Sequence, residues 1–395
     1  MLGYLRSDGR KGIRNHVVVA YLVECAHHVA REIAAPLRDQ GVHLIGFPGC
    51  YPNDYADRIM RQLCTHPNVG AVLLVSLGCE SFPRGPLVQA IEASGRPVHT
   101  LVIQESGGTA KTIQAGRAWA ERAVAEIQNV SRVPLQVQDL VVGTICGGSD
   151  ATSGLTANPA AGRAFDLLVA AGGAAIFEET GELIGCEQFM AERAITPELG
   201  GEILACVDKA ARYYRTLGHS SFATGNATGG LTTIEEKSLG AYCKSGKSKI
   251  SGLIKPGDVP PRGGLYLLDV VPDGEVRFGF PNISDNAEIV ELIACGCHLT
   301  LFTTGRGSVV GSAISPVLKI CANPETYRRM ADDMDIDAGR ILEGRGTLDE
   351  VGQEIFQAIL AVAAGRPTVS ESLGHQEFIL TYKSFEPIGP ACLPG

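Results

Sequence analysis

Cysteines stand at the ends of four predicted strands, and this placement is the first feature of the sequence that could do chemistry. Cys25, Cys50 and Cys79 each follow an apolar, strand-like run, and Cys146 follows another run further along the chain. Ligands of open parallel sheets bind outside the carboxyl ends of the strands. Thiolates gathered at such an edge favour iron or zinc over magnesium. Any one of these cysteines taken alone is more often a structural core residue.

Gly-rich loops carry a second group of candidate residues, in the segments GGSDATSGLTANP, TGNATGGLTTIEEKSLG and TTGRGSVVG. Their polar groups suit a polyhydroxylated or anionic ligand, held by hydroxyls and by amides at helix N-termini. Ordinary turn and cap chemistry is the alternative for the first of these loops. We assign substrate binding or catalysis to Ser149, Asp150, Asn226, Lys237, Thr304 and Arg306. Within this group Asp150 and Lys237 are the predicted catalytic residues.

An acidic loop, FEETGELIG, follows another apolar strand and offers Glu178, Glu179 and Glu182. Carboxylates in this position suit metal ligation or acid–base catalysis. Solvated surface charge is the alternative interpretation.

The opening segment, YLRSDGRKGIRN, is rich in arginine ahead of the first strand. Arginine forks bind carboxylates through two parallel hydrogen bonds. We therefore predict substrate binding by Arg6, Arg10 and Arg14, with Asn15 beside them. A solvated basic arm is the alternative.

The elements that must position these residues alternate between strands and helices. Continuous apolar runs predict buried strands at 17–23, 42–49, 70–77 and 98–105, with helical segments between them. After a linker at 131–139 the alternation restarts at 140–146 and 174–179. The pattern predicts an α/β fold of two Rossmann-like units with mainly parallel sheets. We place an N-terminal α/β domain at 1–135 and a C-terminal α/β domain with Gly-rich active-site loops at 136–395.

Composition narrows the class of protein. The net charge of −9 argues against nucleic acid as a partner, because binding phosphates needs a basic face. A small anionic substrate remains compatible, since local arginines can line a pocket. No apolar run follows the charged N-terminus and no 18-residue apolar stretch occurs, so we expect a cytoplasmic protein without a membrane span. In a long chain without a signal segment, metal binding or catalysis is the expected chemistry of the 12 cysteines, and the absence of a CxxC pair argues against zinc-finger and thioredoxin types.

Several long motifs resemble the altronate and galactarate dehydratase family over nearly the whole chain. They are GYLRSDGRKGIRN, LGCE, LVIQESGGT, CGGSDATSGLTANPA, GNATGGLTTIEEKSLG, TTGRGS and DDMDIDAG. The resemblance implies a hydro-lyase that acts on sugar acids and depends on Fe²⁺ or another divalent metal such as Mn²⁺. It also implies that the four strand-end cysteines are metal ligands. The family pattern E-T-x-E favours Glu179 and Glu182 over Glu178 as catalytic residues.

The resemblance further implies a reaction and its alternatives. A 2,3-dihydroxy acid would lose its C2 proton, and its 3-hydroxyl would leave with a general acid's help, giving a 2-keto-3-deoxy acid. Related large subunits cleave (2R)-sulfolactate to pyruvate and sulfite, which is the second hypothesis. A non-catalytic sugar-acid-binding module is the third. Members often carry a small N-terminal domain, fused or separate, so a small separate subunit is an expected partner, as is a homo-oligomer.

Overall fold

The computed structural model describes residues 1–178, 180–217, 221–273, 284–381 and 383. Its strands are β1 (Leu2–Leu5), β2 (Lys11–Gly12), β3 (His16–Tyr21), β4 (Val42–Gly46), β5 (Val69–Ser76), β6 (Val98–Val102), β7 (Val133–Pro134), β8 (Val141–Cys146), β9 (Ala174–Phe177), β10 (Ile250–Ile254), β11 (Gly264–Leu268), β12 (Leu299–Thr304), β13 (Val317–Cys321) and β14 (Ile336–Asp337). Its α-helices are α1 (Glu24–Ala34), α2 (Asp54–Cys64), α3 (Arg84–Ala93), α4 (Thr109–Gln128), α5 (Ala157–Ala170), α6 (Glu187–Glu192), α7 (Pro197–Leu217), α8 (Thr224–Thr228), α9 (Ile234–Tyr242), α10 (Asp285–Ala294), α11 (Pro324–Arg329), α12 (Leu348–Ala363) and α13 (Val369–Ser372).

The first unit is built on a four-stranded parallel sheet with the order β4-β3-β5-β6. All eight residues of β5 are buried, as expected for a strand covered by helices on both faces. Apolar residues of α1 and α4 cover one face, and residues of α2 and α3 cover the other. The continuous apolar runs of the sequence therefore predicted these strands correctly.

The second unit is built on a seven-stranded parallel sheet with the order β10-β11-β9-β8-β12-β13-β14. Residues of α5, α7 and α12 form the core on one face, and residues of α10 form it on the other. The prediction of an α/β fold with two mainly parallel, Rossmann-like units is confirmed. Among the described helices, none is both long and apolar enough to cross a membrane.

Apolar packing and hydrogen bonds join the units. Residues of α2 and α10 belong to one continuous hydrophobic core, so the sheets share a packed layer. Behind this layer, Asn68 Nδ2 donates to Ile314 O over 3.2 Å and Ile314 N donates to His43 Nδ1 over 2.9 Å. Ile314 has a φ of 73°, an uncommon value for a β-branched residue. Both polar groups of its backbone are thus held by side chains of the first unit.

A histidine pair at the start of the first sheet predicts a pH dependence of stability. The rings of His16 and His43 stack with centroids 3.9 Å apart. Burial, together with the nearby Arg14 charge, lowers the pKa of His16 to about 3. Between this pKa and the unfolded value near 6.5, the unfolded chain binds a proton that the folded chain does not. The free energy of unfolding should therefore fall as the pH drops below about 6.5.

Urea unfolding of the wild type and of His16→Gln between pH 4 and pH 8 measures this effect. The variant should lose part of the wild type's pH slope below pH 6.5, by up to about 1.4 kcal/mol per pH unit. Parallel pH profiles for the two proteins would contradict the assignment of the slope to His16.

Candidate active site

A cavity of about 770 Å³ opens where β8, β9 and β11 end. This is the edge at which parallel sheets bind ligands. Residues that line it and carry functional groups are Cys146, Ser149, Glu178, Glu182, Tyr214, Ser221, Thr224, Asn226, Lys237, Ser284, Asp285, Glu288 and Arg306. The described lining lies wholly between residues 146 and 306, so it belongs to the second unit.

An ion pair between Lys237 and Glu182 stands at the centre of the cavity wall. Lys237 Nζ contacts Glu182 Oε1 and also donates to Ser221 O over 2.7 Å. The Lys237 side chain is only 8% exposed. Burial acts to lower the pKa of Lys237, but the Glu182 charge and the Cys146 side chain outweigh it and raise the pKa. The cavity therefore presents a fixed cation held in place by a carboxylate, and the structure brings together these two predicted catalytic residues.

Cys146 ends β8 beside this pair. Its Sγ lies 3.0 Å from Ser149 Oγ and 3.5 Å from Glu182 Oε2. Burial raises the pKa of the Cys146 thiol, a change that Lys244 opposes and Glu182 reinforces. Gly147 and Gly148 follow, and a Cβ on Gly147 would lie 2.1 Å from Asp285 Oδ2. Glycine at 147 therefore lets Asp285 approach the strand end.

The predicted substrate-binding residues Ser149, Asn226 and Arg306 form a second part of the wall. Asn226 Nδ2 donates to Ser149 O over 3.0 Å, and its Oδ1 accepts from Ala223 N over 2.8 Å. Arg306 Nη1 donates to Gly225 O over 2.5 Å from an exposed position at the rim. These bonds hold the α8 segment over the loop that follows β8.

Three further carboxyl groups of the cavity were missed or ranked low from the sequence. Glu178 is 1% exposed, and neither of its carboxyl oxygens has a hydrogen-bond partner among the described residues. Burial, followed by the Glu291 charge, raises the pKa of Glu178 well above its usual value, and burial followed by Glu178 does the same for Glu288. Burial, together with the Glu182 charge, raises the pKa of Asp285 to about 6. Carboxyls with separated pKa values can serve as acid and base in one site.

A helix N-cap signal in the sequence could have revealed two of these acids, Asp285 and Glu288. Ser284 caps α10, and its side chain accepts from Ala287 N over 3.3 Å. Asp285 and Glu288 follow in the first turn, and Glu291 lies fully buried in an otherwise apolar segment. A charged residue inside an apolar helix is rarely buried without a specific partner.

Two predicted residues support the loops instead of facing the large cavity. Asp150 is 4% exposed; its Oδ1 accepts from Thr152 N over 2.9 Å and its Oδ2 accepts from Asn323 Nδ2 over 3.0 Å. It borders a smaller neighbouring cavity of about 300 Å³. Thr304 is fully buried, and its Oγ1 accepts from Gly307 N over 3.0 Å. Glu179 lies outside the described residues.

The arginines of the opening segment lie away from the cavity. Arg6 Nε donates to Pro67 O over 2.7 Å, and Asn15 Oδ1 accepts from Arg6 Nη2 over 2.9 Å. Arg10 donates to Asp8 and to Thr65 O. These residues tie the start of the chain to the loop before β5.

Arg14 has the most hydrogen bonds of this group. Its guanidinium donates to both carboxylate oxygens of Glu371, over 2.7 and 2.9 Å. It also donates to Val362 O and to Arg366 O, each over 2.9 Å. The fork that suggested carboxylate recognition thus binds a carboxylate of the chain itself and joins the two units.

The four predicted metal ligands are divided between the units. Cys25, Cys50 and Cys79 are exposed at the carboxyl edge of the first sheet, where Ser81 N donates to Cys50 O over 2.9 Å. Cys146 lies in the cavity of the second unit. Within the described ranges, no three His, Cys, Asp or Glu side chains are arranged to hold a metal ion.

The fold and cavity define an α/β protein in which carboxyl groups and an ammonium group line a cavity at the carboxyl edge of a parallel sheet. Sequence comparison gives its family. Residues 137–385 match the family described as D-galactarate/Altronate dehydratase, C-terminal, and residues 3–128 match D-galactarate dehydratase/Altronate hydrolase, second domain. The chain belongs to the D-galactarate/altronate dehydratase family and is an enzyme of its hydro-lyase type.

Individual relatives differ in length and in name. The (2R)-sulfolactate sulfo-lyase subunit beta of Chromohalobacter salexigens is 35% identical, over 96% of this chain and 96% of its own length. Galactarate dehydratase (L-threo-forming) of Escherichia coli is 34% identical over 80% of this chain and 61% of its own. Altronate dehydratase of Escherichia coli is 28% identical over 95% of this chain and 76% of its own.

Proposed function

We propose that this enzyme removes the leaving group from C3 of a small 2-hydroxycarboxylate after loss of the C2 proton, with a sugar acid as substrate. The observation that carries the proposal is the single cavity in which the Lys237–Glu182 pair meets Glu178, Asp285 and Glu288. A β-elimination needs a base, an acid and a cation in this arrangement.

The different pKa values of the carboxyl groups suggest which group acts as the base and which as the acid. Asp285, with a pKa of about 6, is mostly ionised at neutral pH and is a stronger base than an ordinary carboxylate. Glu178, whose pKa burial raises well above its usual value, gives its proton to the departing 3-hydroxyl, which leaves as water. The ammonium of Lys237 stabilises the enolate charge that develops when the C2 proton is lost. The enol then takes a proton at C3 and loses its hydroxyl proton, giving the 2-keto-3-deoxy acid.

The character of the wall supports a polyhydroxylated substrate. Hydroxyls of Ser149, Ser221 and Thr224 and the backbone of the α8 segment line the cavity beside the charged groups. Such groups can donate to and accept from sugar hydroxyls. The names of two relatives, galactarate dehydratase and altronate dehydratase, agree with this substrate class.

(2R)-Sulfolactate cleavage is a second candidate function. The observation that favours it is 35% identity to a sulfolactate sulfo-lyase subunit beta over 96% of both chains. The same base and cation would serve, with sulfite instead of water leaving from C3. The word subunit in that name also supports the proposal of a small separate partner protein.

A divalent metal, Fe²⁺ or Mn²⁺, is a further proposal that rests on the resemblance. Anaerobic purification with added Fe(II), followed by metal analysis, measures its binding directly. Cys79→Ala should lower the iron content if thiolates hold the ion. Equal stoichiometry in single alanine variants of all four strand-end cysteines would contradict thiolate ligation.

An activity screen separates the candidate functions. The purified chain is incubated anaerobically with Fe(II) and with altronate, galactarate or (2R)-sulfolactate, with and without a candidate small partner. Keto-acid formation from a sugar acid supports dehydration, whereas release of sulfite with pyruvate supports the second candidate. Binding of these acids without turnover in every arm would identify a non-catalytic binding module.

A further inference from the structure

A second cavity lies on the other side of the wall that holds the acids of α10. It measures about 260 Å³ and is lined by residues of α2, of the loop after β11 and by Lys383. Val270 lines both cavities, so only a thin wall separates them. The exposed side chains of Arg58 and Asp273, at 45% and 75%, border the second cavity and connect it to bulk water.

The wall between the cavities contains a short chain of proton-carrying groups. Tyr55 Oη donates to Glu291 Oε1 over 2.5 Å, and Lys383 Nζ donates to the same oxygen over 2.5 Å. Lys383 Nζ also donates to Val270 O over 3.1 Å. Tyr55 and Lys383 line the second cavity, so this end of the chain reaches water.

The other end of the chain lies beside carboxyls that line the large cavity. Glu291 Oε2 is buried and has no hydrogen-bond partner among the described residues, and the same holds for both oxygens of Glu178. Of the neighbouring charges, that of Glu291 contributes most to raising the pKa of Glu178, in keeping with two buried carboxyls that lie near each other. Glu288 lies one helical turn before Glu291, on the cavity side.

The charged groups around these carboxyls come from several elements. Those that act on Glu178 are Glu182, Lys244, Glu291 and Lys383, and those that act on Glu291 include Tyr55, Asp269 and Lys383. Burial raises the pKa values of Glu178, Glu291 and Tyr55, which favours the protonated form of each, whereas Lys383 opposes the shift of Glu178 and of Glu291.

We propose that Glu291, Tyr55 and Lys383 form a proton relay through this wall, which returns to Glu178 the proton it gives to the leaving hydroxyl. After elimination Glu178 is a carboxylate. Glu291 passes it a proton, Tyr55 passes its hydroxyl proton to Glu291, and water of the second cavity reprotonates Tyr55. The enol takes its C3 proton from solvent, and the C2 proton held by Asp285 and the enol's hydroxyl proton leave through the large cavity. Two protons therefore enter and two leave in each turnover. Lys383 is a positioning residue that holds Glu291 against Val270.

The relay rests on the proposed elimination, but its test has a readout that does not need turnover. Tyr55→Phe removes the relay hydroxyl and keeps the ring that packs 5.8 Å from Lys383 Nζ. Tyr266→Phe is the matched control, because it removes a buried hydroxyl that donates to Arg262 O, outside both cavities. With a substrate that the wild type converts, Tyr55→Phe should lower kcat about tenfold and enlarge the solvent isotope effect, with KM unchanged.

Infrared spectroscopy gives the independent readout. The carbonyl stretch of protonated Glu178 is identified as the band lost in Glu178→Gln, and its shift is followed after transfer into heavy water. The shift should be at least about tenfold slower in Tyr55→Phe than in the wild type and in Tyr266→Phe. Equal rates in all three proteins, or equal slowing in both variants, would overturn the relay. If the wild type converts no acid, the proposed function fails while these exchange rates still decide the relay.

Discussion

Replacing Lys237 by methionine is expected to lower kcat/KM by a hundredfold to a thousandfold, on the order of the effect of removing one preorganised charge from a developing oxyanion. Methionine keeps the length of the side chain but removes the ammonium that contacts Glu182 and donates to Ser221 O. The enolate would then form beside an uncompensated carboxylate. Steady-state kinetics on the acid that the wild type converts measures the loss.

Two further variants make this result specific. Lys249→Met removes an exposed ammonium and should leave kcat/KM unchanged. Lys237→Arg keeps the charge but enlarges the head group in a side chain that is only 8% exposed, so it should recover part of the activity. Wild-type kinetics for a folded Lys237→Met protein would show that the cation has no part in catalysis.

Loss of Arg14 is expected to have the largest effect on stability. Arg14→Ala should lower the free energy of unfolding by about 3 kcal/mol, because it removes the charged partner of the Glu371 carboxylate and a donor to the Val362 and Arg366 carbonyls. The pair is 13% and 24% exposed, which puts the effect at the lower end for buried pairs. Urea unfolding measures it, with the exposed Arg31→Ala as control.

Kinetics of the same variants separate the structural role of Arg14 from substrate binding. Arg14→Lys should lose part of the stability, because a point ammonium cannot form the fork, while KM stays unchanged. A raised KM with wild-type stability would instead support the substrate-binding role that the sequence indicates.

The fold could be predicted from the sequence because buried parallel strands leave a strong local signal. The runs in β3 and β5 are apolar at nearly every position. This pattern is typical of a strand that helices cover on both faces. Short elements such as β10 and α9 were missed, since they lie within a Gly-rich stretch whose composition indicates loops.

The site could be predicted only in part, because an arginine fork can bind a carboxylate of a substrate or a carboxylate of the protein itself. The fork of Arg14 binds a carboxylate, as predicted, but that carboxylate is Glu371, 357 residues away in the chain. The loop after β8 was located correctly, because a strand followed by consecutive glycines is visible in the sequence. The sequence around residue 178 could not show which glutamate after β9 faces the cavity, because the direction of these side chains depends on how α10 packs against the strand.

Elimination after loss of the C2 proton is tested most directly by running the reaction in heavy water and examining the product by NMR. The enol takes its C3 proton from solvent, so the keto acid formed from a sugar acid, or pyruvate formed from sulfolactate, should carry one deuterium at C3. Substrate deuterated at C2 should react more slowly, and Lys237→Met should form little product. Binding of these acids with no keto acid formed, with and without a partner subunit, would contradict the proposed lyase activity.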